Sequence, residues 1–126
     1  MYFKLEGKVV VPITMQEHLE IAMSTQSLST TLKVTTFDGI AAKVSTVFLG
    51  VCPVTAGETP QVFETMVFGG PKISSTRHRY DDFDMALAGH RKMCGELARA
   101  IVANPGPWPE QNNLRKDDPD EDSPAP

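Results

Sequence analysis

Ser45-Thr46-Val47-Phe48-Leu49-Gly50 and Phe63-Glu64-Thr65-Met66-Val67-Phe68-Gly69-Gly70 are the two runs whose reading decides the fold. They lie within strand-like stretches at 42–51 and 61–68, joined by a loop containing Pro and Gly and closed by Gly69-Gly70-Pro71. Successive side chains of a strand point to opposite faces. Val44, Thr46 and Phe48 therefore share one face and Ser45, Val47 and Leu49 the other; Val62, Glu64, Met66 and Phe68 oppose Phe63, Thr65 and Val67. Both strands are partly apolar on both faces, which places them in the middle of a sheet covered on both sides. Two helices in a small domain cover one side well, so the other side calls for a bent sheet, a ligand or a second subunit. Symmetric closure favours a homodimer or higher homo-oligomer.

Outward from this centre, residues 32–37 alternate as a strand, and Asp38-Gly39 is a hairpin signal because Gly39 can take the positive φ of such a turn. Upstream, Val9-Val10-Val11 marks a short strand over 8–12 that continues a pairing begun at 2–5. Thr14-Met15-Gln16-Glu17 fits a capping box and predicts a helix to about Met23, with Met15, Leu19, Ala22 and Met23 as its apolar face. The hydroxyl-rich run 24–31 reads as a connector. Downstream, 73–80 is a fifth strand at an edge. Asp81 and Asp82 cap a helix to about Ala103, with Tyr80 stapled onto Met85. Phe83, Leu87, His90, Cys94, Leu97 and Ile101 form its apolar stripe, flanked by Ala86 and Met93. Asn104-Pro105-Gly106-Pro107 stops it.

The expected fold is α+β: an antiparallel sheet of four to five strands with two helices packed mainly on one face, in a single domain over 1–103. A Pro-rich acidic tail, disordered by its composition, follows over 104–126. The 126 residues suffice for one modest core. The formal net charge of −4 lies wholly in the tail, where Arg115 and Lys116 face Glu110, Asp117, Asp118, Asp120, Glu121 and Asp122. A neutral body argues against duplex nucleic acid as a partner. No apolar run suits a signal peptide or a membrane span, and Cys52 and Cys94 have no metal or disulfide spacing. A soluble cytoplasmic protein with reduced thiols and no cofactor or metal is expected. Removing 104–126 is expected to leave the melting temperature nearly unchanged.

Few residues carry candidate chemistry. His90 on an apolar stripe beside Gly89 either points into a pocket, as a hydrogen-bonding or acid-base group, or is a core histidine bonded to a backbone carbonyl or strand hydroxyl. Cys94 is one turn on, but a cysteine on such a stripe usually behaves as a small hydrophobe. Arg77 and Arg79 share a strand face and suit phosphate or carboxylate, unless they pair with Asp81, Asp82, Asp84 or Glu64. Glu64 in an apolar strand needs an Arg, solvent or a ligand donor. The loop 53–60 lacks the spacing of a phosphate-binding loop. The tail is either a solubilising extension or a dock for a basic partner.

The runs 45–50 and 63–70, with Arg79-Tyr80 and Gly89-His90 after them, together resemble a family of small proteins encoded mainly by tailed bacteriophages and prophages. The resemblance covers about residues 44–93 and departs from the family at Cys52-Pro53, where relatives carry an Asp-His pair. It implies a phage accessory protein acting in the host cytoplasm. One reading by analogy is a non-catalytic module that sequesters a nucleotide-derived host immune signal in an anti-defence role. Arg77, Arg79 and His90 would contact anion and base, Tyr80 or Phe48 would stack, and Glu64 and Thr65 would line the site. Arg79→Ala or His90→Ala would then abolish retention and leave the fold intact. The alternative is an interaction module that inhibits a host protein through its sheet face or tail. An enzyme ranks third, because no nucleophile or metal set is visible.

Overall fold

The computed structural model describes residues 1–26, 29–54 and 57–108. The chain is α+β, as expected. A hairpin of β1 (Tyr2–Glu6) and β2 (Val9–Ile13) leads to α1 (Met15–Thr25); β3 (Ser29–Phe37), β4 (Ile40–Leu49), β5 (Phe63–Gly69) and β6 (Arg77–Tyr80) form an antiparallel sheet in sequence order, and α2 (Phe83–Ala103) follows.

β4 and β5 are the central strands. Gly39, at φ 68°, turns β3 into β4 through the expected two-residue link between Phe37 and Ile40. β3 begins at Ser29, inside the stretch expected to be a connector. Its serine and threonines resemble loop composition, yet they pair with 47–49 of β4. A bulge between Thr31 and Lys33 lets Leu32 pack on the core. The expected fifth strand shortens to Arg77–Tyr80, at the edge. The N-terminal hairpin is a separate two-stranded sheet. It is tied to the end of β4 by the Tyr2–Val51 bridge and by the Phe3 amide donating to the Gly50 carbonyl at 3.0 Å.

The core lies between the sheet and α2 in two clusters. Phe48, Phe63, Val62 and Ala86 pack with Phe3 of the hairpin; Val44, Val67, Met93, Leu97 and Ile101 form the second cluster. The buried residues of α2 are Ala86, His90, Met93, Leu97 and Ile101, at helical spacing. The stripe is thus rotated from the expected one: Ala86 and Met93 are central, while Leu87 and Cys94 lie at its margin.

α1 differs more. Thr14 caps it by accepting from the Glu17 amide, but the Glu17 carboxylate takes Lys4 Nζ at 2.9 Å, so only half of the capping box forms around Thr14. Met15 and Met23, expected to be buried, are 57% and 79% exposed, and the buried residue is His18. The periodicity of the methionines is real but faces outward. Met85 is exposed too, so no Tyr80 staple forms; Tyr80 instead covers Gly89, where any Cβ would collide with its hydroxyl.

Residues 104–108, grouped with the tail above, keep contact with the body. Trp108 packs on the second cluster, and its Nε1 donates to the Asn104 carbonyl at 2.7 Å. Truncation after Ala103 is therefore expected to cost about 1–2 kcal/mol, the scale of a half-buried aromatic. Truncation after Trp108 should be neutral within about 0.5 kcal/mol, as for removal of a polar, charged segment. Thermal melts of the two truncations against the full chain check this. The acidic residues from Glu110 onward lie outside the described residues.

Candidate functional site

The expected site residues fall on the two sides of one sheet. Alternation along β5 turns Phe63, Thr65 and Val67 toward α2 and Glu64 to the opposite face. Register then carries Arg79 beside Glu64 and Arg77 beside Met66. Phe48, Thr65 and His90 lie on the α2 side, in the core. Among the described residues no single cavity gathers the seven.

On the α2 side, His90 is 1% exposed and lies where the two core clusters meet. Its Nε2 bonds to Thr35 Oγ1 and its Nδ1 to Thr46 Oγ1, each at 2.8 Å. Thr46 Oγ1 in turn bonds to Thr65 Oγ1 at 2.6 Å. A neutral ring has one donor and one acceptor, and threonine hydroxyls can serve either. The ring is thus satisfied by β3 and β4 together. Burial holds its pKa below the usual histidine value, helped by the nearby charges of Lys33 and Arg91. This is the core-histidine arrangement, with strand hydroxyls as partners. It also leaves no imidazole nitrogen for the Cys94 thiol, and both cysteines are free.

Phe48 packs its ring on Phe63 at 5.5 Å between centroids, inside the first cluster. Tyr80 is half-buried against that cluster, and burial raises its pKa, with Glu96 adding to the effect. Neither aromatic is an open stacking plane.

On the opposite face Glu64 is buried, its Oε2 accepting a hydrogen bond from Arg79 Nε at 3.0 Å and ion-paired with Arg77 Nε at 3.4 Å. Of the two open readings of the arginines, pairing with Glu64 is the one formed. Two guanidiniums meet one carboxylate, both arginines remain well exposed, and each engages through Nε. Each guanidinium has further N–H donors beyond this contact, and both side chains are at least 40% exposed. Arg79 also borders a polar cleft of about 440 Å³ that includes Glu58, Thr59, Gln61 and Asp81. Two carboxylates there oppose an anionic ligand.

Around the ion cluster the face carries apolar residues interspersed with Ser45, Thr36 and Lys43. Val47 and Leu49 of β4, Met66 and Phe68 of β5 and Val34 of β3 are half-buried or exposed. Lys43 reaches over the Phe68 ring at 5.2 Å. α2 lies on the other side of the sheet, and α1 packs against β1. This surface was legible in the two-sided apolarity of 42–51 and 61–68. What the sequence did not mark is His18, an isolated histidine that the outward methionines of α1 conceal.

Among the described residues, no group of three or more His, Cys, Asp or Glu is placed to hold a metal, and no helix is long and apolar enough to cross a membrane. Comparison with protein-family models, with curated proteins and with solved structures finds no match to this chain.

Proposed function

We propose that this protein is a non-catalytic binding module that docks another protein on the uncovered face of its four-stranded sheet. The observation that carries this reading is the apolar surface of Val47, Leu49, Met66 and Phe68 on the two central strands, surrounding the Glu64–Arg77–Arg79 cluster. Apolar area supplies the attraction, and the remaining guanidinium donors supply the selectivity. Away from the Glu58 and Asp81 cleft at the edge, Lys43, Arg77 and Arg79 against Glu64 leave the strand face positive, so its partner presents carboxylates among apolar side chains there. A second copy is the weaker occupant, because face-to-face closure stacks like charge on like charge.

Sequestration of a nucleotide-derived signal has less support. His90 has both ring nitrogens occupied within the core, and the arginines are separated from it by the sheet. The phage setting, in which the partner is a host protein and the protein acts in the host cytoplasm, rests on the sequence resemblance alone.

Site-specific photo-crosslinking tests the reading, with a benzophenone side chain at Leu49 on the sheet face, at Met23 on α1 or at Val102 on α2. Crosslinks from Leu49 should dominate, and Phe68→Glu should reduce them about tenfold or more, the effect of losing an interface hot spot. Crosslinks of equal yield from Met23 or Val102, or a Phe68→Glu protein that captures as the parent does, would refute it.

A further inference from the structure

The cavity at the other end of the molecule, between α1 and the start of β3, is separate from the sheet face and does not depend on that reading. α1 presents His18, Ile21, Ala22 and Thr25 to it, at the i, i+3, i+4, i+7 spacing of one helical stripe. Phe3 and Phe48 supply an aromatic floor, and Thr30 closes a side. The volume is about 260 Å³. It is a cleft partly open to solvent, with Ile21, Thr25 and Thr30 exposed at its rim, and its lining is mostly apolar. Its size lies just under the range of small-molecule sites.

The second observation is His18 itself. It is 6% exposed, and its ring packs on Tyr2 with centroids 5.0 Å apart, yet no hydrogen bond or ion pair reaches either ring nitrogen among the described residues. His90, also buried, satisfies both of its nitrogens. Buried polar groups in folded proteins are paired almost without exception, and an unpaired one costs the full desolvation of that group. An imidazole held without a protein partner on the wall of a mostly apolar cleft offers a hydrogen bond to a ligand. Charge narrows the class. Lys4 also lines the cavity, but its ammonium is taken by Glu17 at 2.9 Å and Glu6 at 3.2 Å, which raise its pKa and offset its charge. Nothing there calls for an anion.

We propose that this cavity binds a neutral, largely apolar molecule of one or two rings carrying a hydroxyl oxygen, with His18 as the hydrogen-bond partner of that oxygen. Rings fill the space over Phe3 and Phe48, and the hydroxyl satisfies whichever imidazole nitrogen the tautomer directs inward.

The test uses 2-naphthol as the probe and naphthalene as its match without the oxygen. Titration of the full chain with 2-naphthol should shift the His18 ring and the Ile21 and Ala22 methyl NMR signals saturably, at one probe per chain. His18→Phe keeps a ring against Tyr2 and removes the nitrogens. It should weaken 2-naphthol about tenfold, the loss of one buried hydrogen bond, and leave naphthalene within about twofold. Ala22→Phe, which fills the space, should abolish both. Absence of saturable shifts up to the solubility limit, shifts confined to other residues, or unchanged 2-naphthol affinity in His18→Phe would overturn the proposal. Should that variant fail to fold, the titration of the parent decides by itself.

Discussion

Gly69→Ala is expected to destabilise the protein by about 4 kcal/mol, from the sum of a left-handed backbone penalty and a steric clash that side-chain rotation cannot relieve. Gly69 closes β5 opposite Ala42 with φ at 74°. A Cβ there would drive into the Ala41 carbonyl oxygen, which belongs to the backbone of β4. Relief requires moving one central strand against the other. Two neighbouring comparisons isolate the causes. Gly39, at φ 68°, faces open space, so Gly39→Ala should cost only the backbone penalty, about 1 kcal/mol. Gly70, at φ 79°, would place its Cβ 3.1 Å from Leu97 Cδ1 and 3.3 Å from Ala42 Cβ, so Gly70→Ala should fall between the two. Denaturant unfolding of the three variants gives the order directly. A Gly69→Ala protein within about 1 kcal/mol of the parent would contradict the strand closure described above, since the left-handed penalty alone accounts for that much.

The same region shows why the sheet was legible in the sequence. Residues 44–49 and 63–68 are short runs, apolar on both faces and bounded by glycines that only turns or closures require, so local pattern and tertiary environment agree. The Asp38-Gly39 turn and the Asp82 cap, which accepts from the Met85 amide at 2.9 Å, are local devices and form as read. What failed needed long-range information. Met15, Leu19 and Met23 repeat every four residues as a core stripe does, yet the hairpin and β3 take the adjacent stripe that contains His18. Residues 29–31 have loop composition, but β4 pairs their backbone while their side chains stay exposed, so the pairing partner and not an apolar pattern makes them strand. Which side of the sheet each candidate residue takes depends on how β6 pairs with β5 and how α2 crosses them, which no local pattern encodes. Pairing of Glu64 with Arg77 and Arg79 follows from strand register, and burial of His90 follows from where α2 crosses the sheet.

Replacing His90 follows from that crossing and departs from the expectation that its loss leaves the fold intact. His90→Ala is expected to cost about 3 kcal/mol, the range for emptying a fully buried site of this size plus a hydrogen bond lost by Thr35 and Thr46. At roughly 4–8 °C per kcal/mol for a body of this length, the melting temperature should fall by about 12–24 °C. His90→Gln, which can reach only part of the network, should lose less. The pH dependence separates the histidine from a generic core position. Burial holds the folded pKa below the ordinary histidine value of about 6.5, so the unfolded chain binds the proton first. The stabilisation from neutral His90 is thus complete above about pH 6.5 and is lost as the pH falls through the folded-state value. Lys33 and Arg91 act in the same direction, since each disfavours a third positive charge between β3 and α2. Stability measured between pH 7.5 and 5 should therefore decline more steeply for the parent than for His90→Gln, although the parent starts higher. Parallel curves would mean that His90 keeps its proton equilibrium on folding, and the Thr35–His90–Thr46–Thr65 chain would then not be the sealed element that joins the two halves of the core.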